Sequence, residues 1–381
     1  MDEKTVDMLS ANPNTLYIGG DLGSVEWKLA ATTRSSSSQK VSETSVAAFD
    51  LEALCAWVDE LRQRFGLGSH SPVVVCHEAG REGFSVYRAL MRCGITCLIV
   101  DPASIEVNAR KKRAKTDRLD ARMLLRKLRS YMTDRDVFQV IRVPSEEVED
   151  QRRPSREYDR LVHERTQHCT RINSLLALHG IALPFGEHFV SMLKDARTPT
   201  GEPLGKNLQA EILRELERME LVEHQIAEIQ KDLKRAVEAA KTKVDVQGAK
   251  LGELVGIGPV TAMTLPREFL WRDFQNRGEV GAAAGLTGTP HVTGTSTDIE
   301  QGISKAGNKR VRTLMIEIAW NWVRLQPEST ITLWFRSRQD GTARTRRKTI
   351  VGVARKLLIA LWRYVTQDIA PEGARFRAAS A

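Results

Sequence analysis

The chain has 381 residues, of which 41% are hydrophobic and 28% are charged, and its formal net charge is +9. This apolar content excludes a chain that is disordered throughout, and the length predicts two or three domains. The stretch 1–14 is polar and acidic, no apolar run approaches the ~18 residues of a membrane span, and the five cysteines form no C-x-x-C pair. These features predict a soluble, cytoplasmic protein with no membrane partner.

Patterns typical of strands and of helices alternate along the first part of the chain. Apolar runs predict four strands, and apolar residues at helical spacing predict two helices. The predicted strands are 15–20, 25–33, 72–76 and 96–100, and the predicted helices are 51–65 and 83–93. Because strands alternate with helices, residues 1–135 are predicted to form an α/β domain.

Residues 136–245 are predicted to form a helical linker. The sequence is charged and helical between 146 and 183, whereas 185–205 contains Pro and Gly and is predicted to be a loop. Residues 207–243 have apolar side chains every three or four positions, which predicts one long amphipathic helix. The pattern fits both a coiled-coil arm that joins subunits and a helix packed on its own domain.

Residues 246–381 begin with a turn motif that nucleic-acid-binding proteins use. The segment 254–260, LVGIGPV, resembles a helix–hairpin–helix turn. Glycines at Gly256 and Gly258 would let the backbone approach a DNA phosphate, which main-chain N–H groups can bind. Both glycines are therefore candidate phosphate contacts.

A Gly/Thr-rich loop at 285–302 leads into a second basic segment and then an apolar helix. The candidate nucleic-acid contacts of this segment are Lys305, Asn308, Lys309 and Arg310. Nearer the C-terminus, a further basic cluster at 336–348 precedes a predicted helix at 350–365.

The most basic part of the chain contains two acids three residues apart. Residues 110–129 include ten Lys/Arg, and Asp117 and Asp120 are the only acids there. A helix that starts at this point puts both carboxylates on one face, where each raises the other's pKa unless a cation lies between them. A divalent metal would supply that cation, whereas an exposed face with i,i+3 and i,i+4 ion pairs would explain the pattern without a metal. The candidate phosphate contacts of this segment are Arg110, Lys111, Lys112, Arg113, Lys115 and Arg118.

Two further acids stand at strand ends of the predicted α/β domain. Asp21 follows the first strand and Glu78 follows a central strand. Together with Asp117 and Asp120 they make the set of four carboxylates with which an RNase H-like nuclease core holds two metal ions. Two ions can stabilise both the attacking and the leaving oxygen of a phosphoryl transfer. The four acids therefore predict a two-metal site for Mg²⁺, with Mn²⁺ as the other candidate.

Five sequence blocks resemble the DEDD-type insertion-sequence transposases that are related to the Piv DNA invertase and are also called bridge recombinases. The blocks are HEAGREGF, VDPASIEVNARKKRAKTDRLDARMLL, LVGIGPVTA, GLTGTPHVTG and EQGISKAGNKRVRTLMIEIAW. The resemblance implies a RuvC-like, RNase H-like domain at 1–135, a helical linker with a coiled coil at 136–245 and a helical C-terminal transposase domain at 246–381. Carried over position by position, the acidic tetrad of the family falls on Asp21, Glu78, Asp117 and Asp120.

The resemblance also implies a function. A member of the family excises and inserts a mobile element, and an element-encoded bridge RNA specifies donor and target DNA by base pairing. With such guidance the protein recognises the backbone and shape of the nucleic acid, while base pairing with the RNA recognises the sequence. Recombining two duplexes requires several active sites, so a homodimer or homotetramer is expected.

By the same resemblance, a serine of the C-terminal domain attacks the DNA phosphodiester and gives a covalent protein–DNA intermediate. This chain departs from the family pattern there, because the proline position holds Gly288 and the serine position holds Thr293. Ser296 is the nearest serine and fits only with a shift of the loop register. Three readings follow: Thr293 is the nucleophile, Ser296 replaces it, or the chain does not cleave DNA.

Two other functions compete with the recombinase. A Holliday-junction resolvase or nuclease would use the same four acids to activate water, without a covalent intermediate. A transposase remnant that lost its nucleophile would bind nucleic acid in a salt-sensitive way and cleave nothing.

Overall fold

The computed structural model describes residues 3–33, 41–105, 117–291 and 299–378. The chain divides into two compact units, Met1–Pro144 and Ser145–Ala381. The serine-rich segment 34–40, the basic segment 106–116 and residues 292–298 lie outside the described residues.

The first unit contains a mixed five-stranded sheet in the order β3-β2-β1-β4-β5. Strands β1, β2 and β3 pair antiparallel, whereas β4 runs parallel to both β1 and β5. The strands are β1 Leu16–Leu22, β2 Glu26–Thr33, β3 Ser42–Ala47, β4 Val73–Glu78 and β5 Thr96–Val100. The helices of this unit are α1 Glu3–Ala11, α2 Leu51–Arg64, α3 Gly83–Arg92 and α4 Asp117–Tyr131.

Each face of this sheet packs against its own helices, because successive side chains of a strand point to opposite faces. Leu16 and Ile18 of β1 join a core with Leu54 of α2 and Leu90 of α3. On the other face, alternate strand positions join a core with α4. Both cores lie under continuous β-branched and apolar strand segments, as expected for central strands covered on two sides.

Several elements of the first unit differ from the predicted ones. Asp21 lies within β1 rather than after it, and Glu78 is the last residue of β4. Strand β3 and helix α1 were not predicted, because both segments are mostly polar. Beyond α4, Ile141 donates a backbone hydrogen bond of 2.8 Å to Ile99 at the edge of the sheet.

The second unit is largely helical. Its helices are α5 Glu146–Gln151, α6 Arg153–Ala177, α7 Phe189–Asp195, α8 Lys206–Ala239, α9 Lys243–Gly252, α10 Pro259–Leu265, α11 Arg277–Ala283, α12 Lys309–Leu325, α13 Thr330–Ser337 and α14 Ala343–Gln367. A π-helical turn, Pro266–Leu270, continues α10, and a hairpin is formed by β6 Gly288–His291 and β7 Ile299–Ile303. The α/β N-terminal part and the helical remainder are thus confirmed. No helix in the described ranges is long and apolar enough to cross a membrane.

Helices α6 and α8 form an antiparallel pair within one chain. Leu161 of α6 packs with Val222 and Ile226 of α8, whereas Leu176, farther along α6, packs with the earlier Ile212. The apolar stripe of the long helix is therefore covered by its own chain, as in the second reading of its pattern. The predicted loop 185–205 contains the short helix α7, which was missed.

The C-terminal core is built around α12 and α14. Trp322 of α12 is fully buried and packs among Val353, Leu357 and Leu361 of α14. Helix α14 begins at Ala343, seven residues before the predicted start. The basic residues 344–348 therefore belong to its first turns, which the sequence prediction had wrong.

Candidate functional site

Asp21 and Glu78 stand beside each other at the carboxyl ends of two neighbouring parallel strands. The register of β1 and β4 pairs Gly19 with Cys76 and Gly20 with His77, so the next positions along the two strands are Asp21 and Glu78. Adjacent strands lie about 4.8 Å apart. Glu78 is exposed and Asp21 is half-buried, so both can reach a ligand at this edge.

Both acids lie on the sheet face that α4 covers. Tyr17 and Cys76 belong to the core that includes α4, and the Cys76 Sγ donates to the Leu124 carbonyl oxygen at 3.4 Å. Asp21 is four positions from Tyr17, and Glu78 is two positions from Cys76. An even spacing along a strand keeps a side chain on the same face.

Gly19 sets how closely α4 approaches this face. A Cβ at this position would lie 2.8 Å from the Leu125 Cα and would overlap the Leu125 amide nitrogen and the Ala121 carbonyl oxygen. These are backbone atoms of a helix, which cannot rotate aside as a flexible side chain can. The glycine therefore permits direct contact between β1 and α4.

The direction of α4 brings its N-terminal end toward the two acids. Met132, near the C-terminal end of the helix, lines a cavity together with Tyr17, near the start of β1. Ala121 lies against Gly19, three residues before the end of the strand at Leu22. Helix and strand therefore run in opposite directions, and Asp120 lies toward the strand end that carries Asp21. Asp117 and Asp120 both lie in α4, so the helix predicted at this position is present.

Carboxylate oxygens are the ligands that Mg²⁺ and Mn²⁺ prefer, so this donor set fits the predicted metal. Asp120 is half-buried, whereas the side chains of Asp117 and Arg118 lie outside the described set. Among the described side chains, no three His, Cys, Asp or Glu residues form a group that could hold a metal ion. The structure thus brings Asp21 and Glu78 together and directs α4 toward them, and the metal site itself stays a prediction.

Replacing Gly19 by Ala tests the close approach of α4. We expect the free energy of unfolding to fall by about 1–3 kcal/mol, as for overpacked interiors, because the helix backbone must shift. Urea unfolding measures the change. Gly68→Ala is the matched control: an added Cβ there meets only the Ser71 Oγ at 3.8 Å, so a change within about 0.5 kcal/mol is expected. Equal stability of the two variants would contradict this reading of Gly19.

The predicted hairpin turn lies between α9 and α10. Gly256 has a φ of +95°, in the left-handed region that favours glycine, and Gly258 is the N-cap residue of α10. Pro259 occupies the first helical position, where its missing N–H costs nothing. Two helices joined by a glycine turn are thus present, and phosphate binding at this turn stays a prediction.

The second basic segment closes the base of the β6–β7 hairpin. Ser304 donates a backbone hydrogen bond to Thr287 at 2.9 Å, and Asn308 donates one to Ala283 at 2.8 Å. The Asn308 side chain also accepts from the Val311 N–H at 3.1 Å and caps α12. The neighbouring Lys305 and Lys309 are exposed.

Both candidate nucleophiles lie in the sequence between β6 and β7. Thr293 and Ser296 are outside the described residues, as are five of the candidate contacts, Arg110, Lys111, Lys112, Arg113 and Lys115. Their assignments stay predictions.

Arg310 is engaged by protein groups. Its guanidinium forms ion pairs with Asp159 at 2.6 Å and with Glu268 at 3.7 Å. Glu268, whose side chain is only 1% exposed, also accepts two hydrogen bonds from Arg156, at 2.6 and 3.0 Å. We call Glu268, Arg156, Arg310 and Asp159 the Glu268 cluster. These contacts account for Arg310 structurally, so its nucleic-acid role has less support than that of Lys305 or Lys309.

Sequence reasoning did not single out Glu268. The residue lies in the apolar segment TLPREFLW, and Arg156 is 112 positions away in the chain. A single acid inside an apolar run is the only signal it gives, and such an acid needs a buried partner.

Comparison with known proteins identifies relatives for both units. A family model described as "Transposase IS116/IS110/IS902 family" matches residues 248–332, and a model for DEDD transposases of the IS110 group, described as "Transposase", matches residues 18–181. "Putative transposase y4rJ" of Sinorhizobium fredii is 40% identical over 374 residues, which cover 94% of this chain and 94% of that protein. "Putative transposase y4qE" of the same organism is 28% identical over 257 residues, which cover 66% of this chain and 58% of that protein.

Proposed function

Because this chain belongs to the IS116/IS110/IS902 family of transposases, we propose that it is a DNA recombinase that excises and inserts a mobile element by phosphoryl transfer. The observation that carries the proposal is the register of β1 and β4, which sets Asp21 beside Glu78 at the sheet edge toward which α4 points. The segment matched as a DEDD transposase contains all four predicted acids.

In this proposal Asp21, Glu78, Asp117 and Asp120 hold Mg²⁺ or Mn²⁺ on an RNase H-like, RuvC-like domain. The strand order with three antiparallel and two parallel strands supports that fold. A bound ion supplies positive charge that stabilises the oxygens on which negative charge develops. The protein brings these carboxylates to one edge of the sheet, where their mutual repulsion favours a bound cation.

The proposed nucleophile is a hydroxyl of the loop after β6, from Thr293 or Ser296. Its oxygen forms a bond to the DNA phosphorus, one phosphodiester P–O bond to deoxyribose breaks, and the hydroxyl proton ends on the leaving oxygen. One phosphate ester replaces another, so the bond energy is kept for rejoining. The resemblance of this segment to the corresponding block of the family supports the assignment.

The remaining parts of the proposal come from the family resemblance. They are guidance by an element-encoded bridge RNA, assembly into a homodimer or homotetramer with donor and target DNA, a coiled-coil role for the long helix α8, and cytoplasmic location. Division into domains at 1–135, 136–245 and 246–381 belongs with them. A discrete RNA that copurifies with the protein would support guidance.

A trapping experiment tests the nucleophile. The protein is incubated with labelled element-end DNA and Mg²⁺, denatured, and analysed for a covalent adduct. We expect an adduct from the wild type. One of the two variants, Thr293→Ala or Ser296→Ala, should give at least about a hundredfold less adduct, because removal of the nucleophilic hydroxyl leaves only residual catalysis. Thr287→Ala, a hydroxyl on the same hairpin outside the loop, is the control and should trap DNA normally.

Each other outcome selects a competing function. Adduct formation by both variants would contradict a nucleophile in this loop. Cleavage without an adduct, leaving free 3′-OH ends, would indicate a resolvase or nuclease that activates water. Salt-sensitive binding without cleavage in any metal would indicate a non-cleaving remnant.

A further inference from the structure

We propose that four cations on one side of α14 form a binding surface for the phosphate backbone of duplex DNA. These residues, the α14 stripe, are Arg344, Lys348, Lys356 and Arg363. The inference rests on the proposed recombinase function and assigns one DNA surface of the C-terminal unit. It adds to the tetrad and to the predicted contacts, none of which lies on α14.

The charge of this region is strongly one-sided. Residues 330–367 contain nine Lys/Arg and one acid, Asp340. The Asp340 carboxylate is used locally, because it accepts hydrogen bonds from the Thr345 hydroxyl at 2.6 Å and from the Thr342 N–H and hydroxyl at 2.8 Å. These hydrogen bonds, with that of Thr345 the strongest, lower the pKa of Asp340 to about 2. Asp340 therefore holds the first residues of α14, whose N-cap is Thr342, and no ion pair joins it to the described cations of that helix.

Stripe cations have no acidic partner in the described parts of the chain. No ion pair is found there for Arg344, Lys348, Lys356 or Arg363, and all four are exposed. In the Glu268 cluster, by contrast, Arg156 is held by a carboxylate. Arg344, Lys348 and Arg363 are therefore free to bind phosphate, and Lys356, which contacts an aromatic ring, keeps its charge exposed beside them. Release of the DNA counterions then favours binding.

Helical geometry puts the stripe on the face opposite the core. At 3.6 residues per turn, the steps of four, eight and seven residues keep the four cations within an arc of about 120°. The opposite face carries Ile350, Val353, Leu357 and Leu361, which are buried in the C-terminal core. Because this face is fixed to the core, the stripe is rigid.

The length of the stripe fits a duplex. From Arg344 to Arg363 it extends about 29 Å at a rise of about 1.5 Å per residue, close to the ~34 Å of one turn of B-DNA. One helix face therefore presents cations over a distance comparable to one turn of the duplex.

The aromatic side chains beside the stripe also favour duplex over single strands. Trp334 lies against Gly352, where a Cβ would be 2.8 Å from its ring, and it is contacted by Lys356 at 4.7 Å and Arg338 at 5.1 Å from the ring centroid. Arg346 lies over the Trp320 ring at 5.0 Å. Proteins that bind single strands stack bases on free aromatic rings, whereas cations already occupy these two.

The test compares two variants of equal charge in the full chain. The stripe variant combines Arg344→Gln, Lys348→Gln and Arg363→Gln, which keep helix propensity. Its control combines Lys231→Gln, Lys234→Gln and Arg235→Gln on the exposed face of α8, which also removes three cations. Binding to a labelled duplex of about three helical turns is followed by fluorescence anisotropy over a salt series in EDTA, so that cleavage is not required. Circular dichroism checks that both variants fold.

We expect the stripe variant to bind the duplex roughly tenfold or more weakly, with a salt slope reduced by about 2.7, or about 0.9 for each lost contact. The control should keep the wild-type slope. Equal slopes for the two variants, or a loss confined to a single-stranded RNA of the same length, would overturn the proposal. Adduct trapping with wild-type protein distinguishes failure of the proposed nucleophile from failure of the duplex surface. If no adduct forms but the salt slope still falls in the stripe variant, the nucleophile is refuted and the duplex surface is supported.

Discussion

Replacing Asp21 by Asn is expected to lower strand cleavage by about a thousandfold or more while duplex affinity changes by less than about twofold. The substitution keeps the side-chain shape and removes one of the two neighbouring charges at the ends of β1 and β4. Charge stabilisation by a bound metal contributes several kcal/mol to a phosphoryl-transfer transition state, and about 1.4 kcal/mol corresponds to a tenfold rate. Cleavage in Mg²⁺ and binding in EDTA measure the two quantities.

Asp50→Asn provides the matched control for this substitution. Asp50 is an exposed acid of the same unit that caps α2 by accepting from the Ala53 N–H at 2.9 Å. Asn caps helices as well as Asp, so cleavage and stability should not change. Wild-type cleavage by the Asp21 variant would contradict the metal site, and a parallel loss of duplex binding would assign Asp21 to substrate binding instead.

The central strands could be predicted because their sequences strongly favour a buried strand. PVVVC and TCLIV are short, continuous apolar runs rich in β-branched residues, which are typical of strands buried on both faces. Strand β3, SETSVA, has no such signal. It lies at the sheet edge, and pairing with β2 rather than its own hydrophobicity makes it a strand.

The candidate acids were predictable in part for the same reason. Asp21 and Glu78 each stand where an apolar strand ends, and parallel strands bring their carboxyl ends to one edge. The sequence could not predict the approach of α4, because it depends on an absent Cβ at Gly19 meeting backbone atoms about a hundred residues later. The basic cluster before 350 was likewise placed outside a helix, since its charges hide the helical pattern that the Thr342 cap begins.

Glu268→Ala is expected to lower the free energy of unfolding of the second unit by about 3 kcal/mol. Glu268 joins three elements, the π-helical turn, α6 through Arg156 and α12 through Arg310. Removing one partner of a buried ion pair costs about 3–5 kcal/mol because the other charge is left uncompensated. The lower end of this range is expected here because the Arg156 side chain is 53% exposed and can turn to water.

Two nearby arginines explain why the loss should not be smaller. Burial lowers the pKa of Arg152 to about 10, and the negative charge of Glu268 is the largest influence that opposes this effect. Hydrogen bonding to Glu268 raises the pKa of Arg156. Without the carboxylate, the three positive charges of Arg152, Arg156 and Arg310 would remain close together, with Asp159 beside Arg310 and Glu149 near the other two.

An exposed ion pair on α6, the helix that carries Arg156, provides the comparison. Glu157 pairs with Arg160 at 3.1 Å, with both side chains at least half exposed, so Glu157→Ala should cost no more than about 1 kcal/mol. Urea unfolding gives the two free energies, and hydrogen exchange of the amides of 266–270 shows where the loss occurs. Faster exchange in this turn only for the Glu268 variant would establish that the carboxylate holds it against α6 and α12. A Glu268→Ala protein as stable as the Glu157→Ala protein would mean that the arginines find other partners or water, and that the cluster contributes little to the stability of the second unit.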